Sequence, residues 1–229
     1  MTSHIGIYGE KSLHRDIKSH IEPSGDYQEI PVGNYIADIK NESGITEIQT
    51  QSFHRLRAKL DAFLSEHPVT LVYPLPREKI ILWSDEPGGR IVRKRRSPKR
   101  GNFYGAFREL YRIKALLTRP NLKLRLVLVD VSERRAAGGG RKGYRKIDTE
   151  INAICGELDI SEPGDYRKMI PDAIDGPFTV REYAAASGLN ARNSGVALNV
   201  LRHVGAIEQI GKSGRMYLYT KTGGGEKKQ

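Results

Sequence analysis

The sequence predicts an α/β protein that ends in a smaller, mainly helical module. Three observations support this prediction. Segments with apolar residues at helical spacing alternate with short strand-like runs over the first 160 residues. Positive charge is concentrated in one central block, and the residues after 165 change to three helix-like segments followed by two alternating runs.

The first third of the chain is predicted to place a three-stranded segment between two helices. Leu13, Ile17 and Ile21 recur at helical spacing before Pro23. Two turn signals, Gly33-Asn34 and Asn41–Gly44, separate the strand-like runs. The predicted helices cover 9–23 and 52–67, and the strands lie within 26–40 and 44–50.

The central third is predicted to contain strands, one helix and a glycine-rich loop. The expected order is a buried strand (68–75), a hairpin (78–96), a helix (102–120), a strand (122–133), a basic loop (134–146) and a helix (147–158). The basic loop is a candidate phosphate cradle, but it lacks the Gly-Lys-Ser/Thr ending of a nucleotide-binding P-loop.

The C-terminal module is predicted to be a winged helix. Its first helix covers 166–174, its second lies between the cap Thr179 and the terminator Gly188, and its third covers 190–205. Two strands then flank Lys212-Ser213-Gly214. We therefore expect a main domain at 1–158, a winged helix at 165–222 and a disordered tail at 223–229.

The charge distribution predicts a polyanionic partner. Residues 91–146 hold 18 basic and 3 acidic residues, a net charge of +15, whereas residues 1–90 have a net charge of −3. A block of this sign and size favours nucleic acid, most simply DNA, and the alternative is a solvated surface or a disordered basic loop.

The cysteine content, the lengths of the apolar runs and the N-terminal pattern predict a cytoplasmic protein. Cys155 is the single cysteine, so the chain cannot form an internal disulfide or a cysteine-based zinc site. No apolar run approaches the roughly 20 residues of a membrane span, so we expect no membrane partner. The N-terminus lacks the pattern of a signal peptide.

Two acidic residues of the predicted hairpin stand out. If Lys40 pairs with Ile45, Asp38 lies opposite Glu47 with their Cβ atoms only about 5 Å apart. Two facing carboxylates repel each other unless a divalent cation binds between them. We expect Glu47 and Gln49 to share a concave or solvent-facing side, while Ile39 and Ile48 pack against helix 52–67.

This arrangement resembles the PD-(D/E)xK nuclease superfamily, in which an acid near the end of one strand precedes an acid-x-Lys motif on the next. Here the motif is Asp38 followed by Glu47-Ile48-Gln49. The resemblance implies a mixed central β-sheet flanked by helices, as in restriction endonucleases. It implies a Mg²⁺ or Mn²⁺ site formed by Asp38, Glu47, the Ile48 carbonyl and Glu10, the extra acid of the RecB-like and Holliday-junction-resolvase-like branches.

Gln49 is the departure from the family pattern, because lysine usually stands there. Some type II restriction endonucleases similarly carry glutamine, which can orient an attacking water by hydrogen bonds. Lys11 or Lys40 are alternative sources of the missing charge. The implied function is a metal-dependent DNA endonuclease with catalytic residues Asp38, Glu47, Gln49 and Glu10. The alternatives are a non-catalytic DNA-binding regulator on a degenerate nuclease scaffold and an ordinary hairpin.

Basic side chains in both domains are candidate contacts to nucleic acid. The block contributes a predicted phosphate-binding loop at 93–101, for which the alternative is a flexible surface loop. The winged helix carries a net charge of only +4 over 177–221, so its partner is either DNA or protein, including a second copy of the chain. The candidates are Arg95, Arg96, Lys99, Arg100, Arg141, Lys142, Arg192, Arg202, Lys212 and Arg215.

Overall fold

The structure is a computed structural model that describes residues 12–87, 89–138 and 143–223. The chain divides into two compact units that do not follow chain order. The first contains residues 1–50, 70–102 and 126–158, and the second contains 51–69, 103–125 and 159–229. The predicted boundaries at 158 and 165 stay a prediction.

The described residues of the sheet form seven strands. Their order is β1-β2-β3-β4-β6-β7, and β5 pairs with the second half of β4. The strands are β1 (Gln28–Val32), β2 (Tyr35–Asn41), β3 (Gly44–Ile48), β4 (Val69–Ser84), β5 (Ile91–Arg96), β6 (Leu122–Ala137) and β7 (Tyr144–Ile160).

The first three strands form the antiparallel hairpins that the turn signals predict. Gly33 and Gly44 both adopt positive φ angles (57° and 111°), which glycine tolerates without steric cost. Lys40 pairs with Ile45, so the predicted register of the second hairpin is confirmed.

The central strands β4 and β6 run in the same direction. The Val69 amide donates to the Asn121 carbonyl at 2.8 Å, and further along the Arg77 and Lys79 side chains bind Asp130 and Glu133. Residue numbers on β4 and on β6 increase in the same direction along these contacts, as they do in a parallel strand pair. The predicted α/β class with a mixed central sheet is therefore confirmed.

The core of the first unit lies between this sheet and helix α1 (Ser12–Ile21). Leu13 and Ile17 face Ile39, Ile48 and valines of β4 and β6. Ile39 and Ile48 were expected to pack against helix 52–67. That expectation is wrong, because α1 supplies the apolar surface that covers them.

The described residues of the second unit form four α-helices, several 3₁₀ segments and a two-stranded sheet. The helices are α2 (Arg57–Leu64), α3 (Phe107–Leu110), α4 (Val180–Ser187) and α5 (Ala191–His203), and the sheet pairs β8 (Ile207–Ser213) with β9 (Met216–Lys221). The Thr179 amide donates to Glu182 at 2.6 Å, and Gly188 ends α4 at φ 70°, as predicted. Helix α5 packs against α3 and 111–116, where Lys114 donates to Asn199 at 2.8 Å.

Several elements differ from the sequence prediction. Residues 147–158 are not a helix but part of β7, and 134–137 and 144–146 are strand ends rather than a loop. The predicted helix 102–120 is instead the short helix α3 between two 3₁₀ segments, Phe103–Ala106 and Tyr111–Leu116, with a kink at Ile113 (φ −116°). The first helix of the C-terminal module is a 3₁₀ segment, Pro163–Met169, because Pro171 prevents it from continuing.

None of the helices in the described part of the chain is long and apolar enough to span a membrane. Most of the predicted tail, residues 224–229, lies outside the described residues.

Candidate functional site

The two predicted acids meet where the β2–β3 ladder ends. The Asp38 amide donates to Glu47 Oε1 at 3.2 Å, and the Ile48 amide donates to Asp38 Oδ2 at 2.7 Å. Each carboxylate therefore accepts a backbone hydrogen bond from the opposite strand. This reciprocal pair fixes both side chains where the pairing between β2 and β3 ends.

Glu47 is not on a solvent-facing side, as the sequence had suggested. Only 2% of Glu47 is exposed, and its same-face neighbour Ile45 is buried as well. Asp38 retains 15% side-chain exposure. The expectation was wrong because β3 is an interior strand whose two faces are both covered.

Helix α1 adds a histidine that sequence reasoning missed. His14 Nε2 lies 3.1 Å from Asp38 Oδ2. The spacing of the histidines along the chain matches no zinc-ligand motif, so it gives no indication of this contact. One feature of the sequence could have indicated His14: it follows Glu10 by four residues, and residues at that separation lie on the same face of a helix.

The first turn of α1 is held to β7 by Asp148. The Ser12 amide donates to Asp148 Oδ1 at 3.2 Å, and the Ser12 hydroxyl donates to Oδ2. Burial by itself raises the pKa of Asp148, but hydrogen bonds from Ser12 and the Thr149 amide outweigh it and lower that pKa. An ionised Asp148 complements the helix N-terminus and fixes the helix that carries His14.

The other predicted site residues are placed as follows. The backbone amide of Gln49 donates to the Val72 carbonyl at 2.9 Å, so the residue that follows β3 is hydrogen-bonded to β4. The Ile48 side chain belongs to the core. Glu10 and Lys11 lie outside the described residues. One turn after His14, Lys18 forms an ion pair with Glu29.

The donor chemistry of Asp38 and Glu47 fits a hard divalent cation, which prefers carboxylate oxygens. Within 12–87, 89–138 and 143–223, no group of three or more histidine, cysteine or acidic side chains is arranged as a metal site. The fit therefore depends on the carboxylate pair together with a carbonyl and water ligands.

The predicted phosphate-binding loop is partly a strand. Arg95 and Arg96 belong to β5, whose six residues are all exposed, whereas Lys99 and Arg100 lie in the loop that follows. Arg96 and Arg100 both pair with Glu78, so part of their charge is neutralised. Arg141 and Lys142 lie outside the described residues.

The basic candidates of the second unit are exposed. Arg192 and Arg202 lie on the surface of α5, and Arg202 donates to Gln209 at 3.3 Å. Lys212 and Arg215 lie at the β8–β9 turn, where the Lys212 ammonium is 5.4 Å from the centre of the Tyr217 ring. Their role in binding stays a prediction.

The fold and this site define a class: an α/β protein with a mixed sheet, paired acids on adjacent strands and a basic strand at the sheet edge. A family model described as "Domain of unknown function (DUF8091)" matches residues 11–161, and the chain belongs to that family. A protein of Treponema pallidum (strain Nichols), described as "Uncharacterized protein", is 30% identical over 227 residues, which cover 95% of this chain and 87% of that protein. No solved structure matches the chain.

Proposed function

We propose that the protein is a metal-dependent nuclease that acts on DNA. The observation that carries the proposal is that Asp38 and Glu47 lie beside each other on adjacent strands, next to His14. The resemblance of Asp38 and Glu47-Ile48-Gln49 to the PD-(D/E)xK motif supports the same chemistry. The net charge of +15 over 91–146 supports a polyanionic substrate.

In this proposal Asp38, Glu47, the Ile48 carbonyl and Glu10 hold Mg²⁺ or Mn²⁺. The cation supplies an activated water and neutralises charge on the scissile phosphate. Gln49 orients the attacking water through its amide group. His14 holds the Asp38 carboxylate in position through the contact at 3.1 Å.

The test is cleavage of duplex, branched and single-stranded DNA with and without Mg²⁺ or Mn²⁺. Asp38→Asn is the informative variant, because an amide oxygen still accepts the Ile48 hydrogen bond while the charge is removed. Glu42→Gln is the matched control, since Glu42 is an exposed acid in the same hairpin turn. We expect cleavage to be lost in Asp38→Asn and kept in Glu42→Gln.

Metal binding is tested separately by thermal denaturation. A cation that binds only the folded state raises the melting temperature by mass action. Mg²⁺ or Mn²⁺ should stabilise the wild type and Glu42→Gln but not Glu47→Gln. An equal shift in all three proteins would contradict a metal site at Glu47.

A second candidate function is a DNA-binding regulator without catalysis, with targeting through 177–221. The reciprocal hydrogen bonds favour it, because they give both carboxylates a structural use as acceptors for backbone amides. DNA binding without metal-dependent cleavage, and without a metal-induced shift at Glu47, would establish this alternative.

A further inference from the structure

One face of the outer sheet combines cations with aromatic rings. Alternation along β4 places Lys79, Ile81 and Trp83 on the same face, and β5 places Arg95 opposite Ile81 and Arg93 opposite Trp83. The face continues across β6 and β7. We call it the aromatic–basic face, and it consists of Lys79, Ile81, Trp83, Arg93, Arg95, Arg135 and Tyr144.

The two rings of this face form a cluster around an arginine. The centres of the Trp83 and Tyr144 rings are 5.4 Å apart with planes at 76°, an edge-to-face arrangement. The guanidinium carbon of Arg135 lies 4.2 Å from the centre of the Tyr144 ring and 5.6 Å from that of Trp83. Both rings are half-buried, so each keeps part of its surface open to solvent.

A groove of about 490 Å³ lies beside this cluster. Four cationic residues line it, together with Ile81: Lys79, Lys99, Arg100 and Arg135. The loop wall is fixed, because the Gly101 amide donates to the Arg77 carbonyl at 2.8 Å. A Cβ atom at Gly101 would lie 2.1 Å from the Pro76 carbonyl oxygen, so only glycine allows this close approach.

The charge of the region exceeds what its own acids neutralise. Glu133 is contacted by Lys79, Arg135 and Lys146, and Glu78 is contacted by Arg96 and Arg100. In the described parts of the chain, four further exposed cations of β5 and its loop form no ion pair: Arg93, Lys94, Arg95 and Lys99. A concave, positively charged surface is therefore presented next to two rings.

We propose that the aromatic–basic face binds single-stranded nucleic acid, with backbone phosphates in the groove and a base stacked on the Trp83–Tyr144 pair. Cations that follow the backbone combined with aromatic stacking are the usual means of holding unpaired strands. A duplex hides the faces of its bases, so only an unpaired nucleotide can use the rings. The inference rests on the proposed function only in taking nucleic acid as ligand, and it needs neither metal nor cleavage.

Trp83 provides a direct readout, because it is the only tryptophan of the chain. The full-length protein is titrated in EDTA with a thymidine oligonucleotide, a blunt duplex of equal length, and inorganic polyphosphate. Base stacking quenches tryptophan fluorescence, whereas phosphate charge alone supplies no stacking partner. We expect quenching by the single strand, and little by the duplex or polyphosphate.

Matched variants separate stacking from charge. Base stacking contributes about 5-fold or more to affinity per base, so Tyr144→Leu should weaken single-strand binding by roughly tenfold while Tyr144→Phe retains it. Tyr217→Leu, which removes an exposed ring of the second unit, is the control. Lys99→Gln should weaken binding of all three polyanions and flatten its salt dependence, whereas Lys123→Gln, at another exposed lysine, should not.

Three results would overturn the inference: equal quenching by polyphosphate and the single strand, equal quenching by the duplex, or unchanged affinity in Tyr144→Leu. Quenching by the single strand in a protein that never cleaves DNA would refute the nuclease proposal and leave this inference standing. Metal-dependent cleavage without any quenching would support the nuclease proposal and refute single-strand binding at the aromatic–basic face.

Discussion

Glu133 is the carboxylate on which the charge cluster of the aromatic–basic face depends, and Glu133→Gln should destabilise the protein. Its side chain is 5% exposed, and it accepts from Lys79 Nζ at 2.7 Å and from Arg135 Nε at 2.6 Å. Burial by itself raises the pKa of Glu133, but hydrogen bonds from Lys79 and Arg135 outweigh burial and lower that pKa. The variant therefore removes a charge that three cations surround.

The size of the effect follows from how well those cations can reach water. Breaking one side of a buried ion pair costs about 3–5 kcal/mol. The Lys79 and Lys146 side chains are 29% and 43% exposed, and glutamine still accepts one hydrogen bond, so we expect about 2–3 kcal/mol. For a chain of this length that corresponds to a melting temperature lowered by roughly 5–10 °C.

The measurement is thermal denaturation followed by Trp83 fluorescence, which reports on the unit that contains Glu133. Glu150→Gln is the control, because Glu150 forms an exposed pair with Arg134 at 3.5 Å and should contribute less than about 1 kcal/mol. Equal shifts in the two variants would refute the reasoning.

The difference in stability between wild type and Glu133→Gln should decrease as the pH falls. The pKa of Glu133 is lowered in the folded state from its ordinary value of 4.5. The stabilisation is therefore present above that value and is lost as the pH falls through the folded-state pKa. The gap between wild type and Glu133→Gln should be complete at pH 7 and narrow below about pH 4. A gap that stays constant down to pH 3 would show that the ionised carboxylate is not the cause.

Three further predictions concern single residues: Gly101, Gln49 and Glu182. Gly101→Ala should weaken binding of every nucleic acid in a titration, because its Cβ would meet the Pro76 carbonyl and displace the loop; affinity equal to wild type would contradict this. Gln49→Lys should keep or raise DNA cleavage, whereas Gln49→Ala should lower cleavage and leave the metal-induced melting shift nearly intact; wild-type cleavage by Gln49→Ala would exclude a role for glutamine. Glu182→Ala should cost about 1 kcal/mol in thermal denaturation, because Glu182 accepts from the amide of the helix cap Thr179; an unchanged melting temperature would contradict that.

Local signals in the sequence were sufficient for the hairpins and helix caps. Gly44 at the turn and the burial of Ile39 and Ile48 on the face covered by α1 specify one register, because a slip of β3 by one residue would replace Ile48 on that face with Glu47 or Gln49. Asp38 and Glu47 then had to face each other. The same reasoning located α4 between Thr179 and Gly188.

The prediction failed where two periodicities coincide. Ile147, Ile151, Ile154 and Leu158 have helical spacing, which predicts a helix. Ile147, Thr149 and Ile151 also alternate as a strand does, and β6 needs a partner at its edge. Hydrogen bonding to β6 stabilises the strand rather than the helix, and this tertiary contact cannot be predicted from the local sequence.

The site contacts that were missed all join distant parts of the chain. His14 meets Asp38 across 24 positions, and the Trp83–Arg135–Tyr144 cluster joins three different strands. Sequence spacing identifies neighbours within one helix or hairpin, whereas these contacts exist only after the sheet order is set. The basic block could be recognised from composition, but its combination with aromatic rings could not.

The reciprocal hydrogen bonds of Asp38 and Glu47 do not by themselves explain why both residues are acids. Asparagine and glutamine would accept the same two amide hydrogens without placing negative charge at a site that is 2% exposed. Burying an ionised carboxylate costs far more than burying a neutral amide. Backbone satisfaction therefore accounts for the positions of the two oxygen acceptors but not for their charge. A divalent cation, as in the proposed function, would offset both charges. The choice of charged over neutral acceptors supports the proposed metal chemistry, rather than strand pairing alone, at this hairpin.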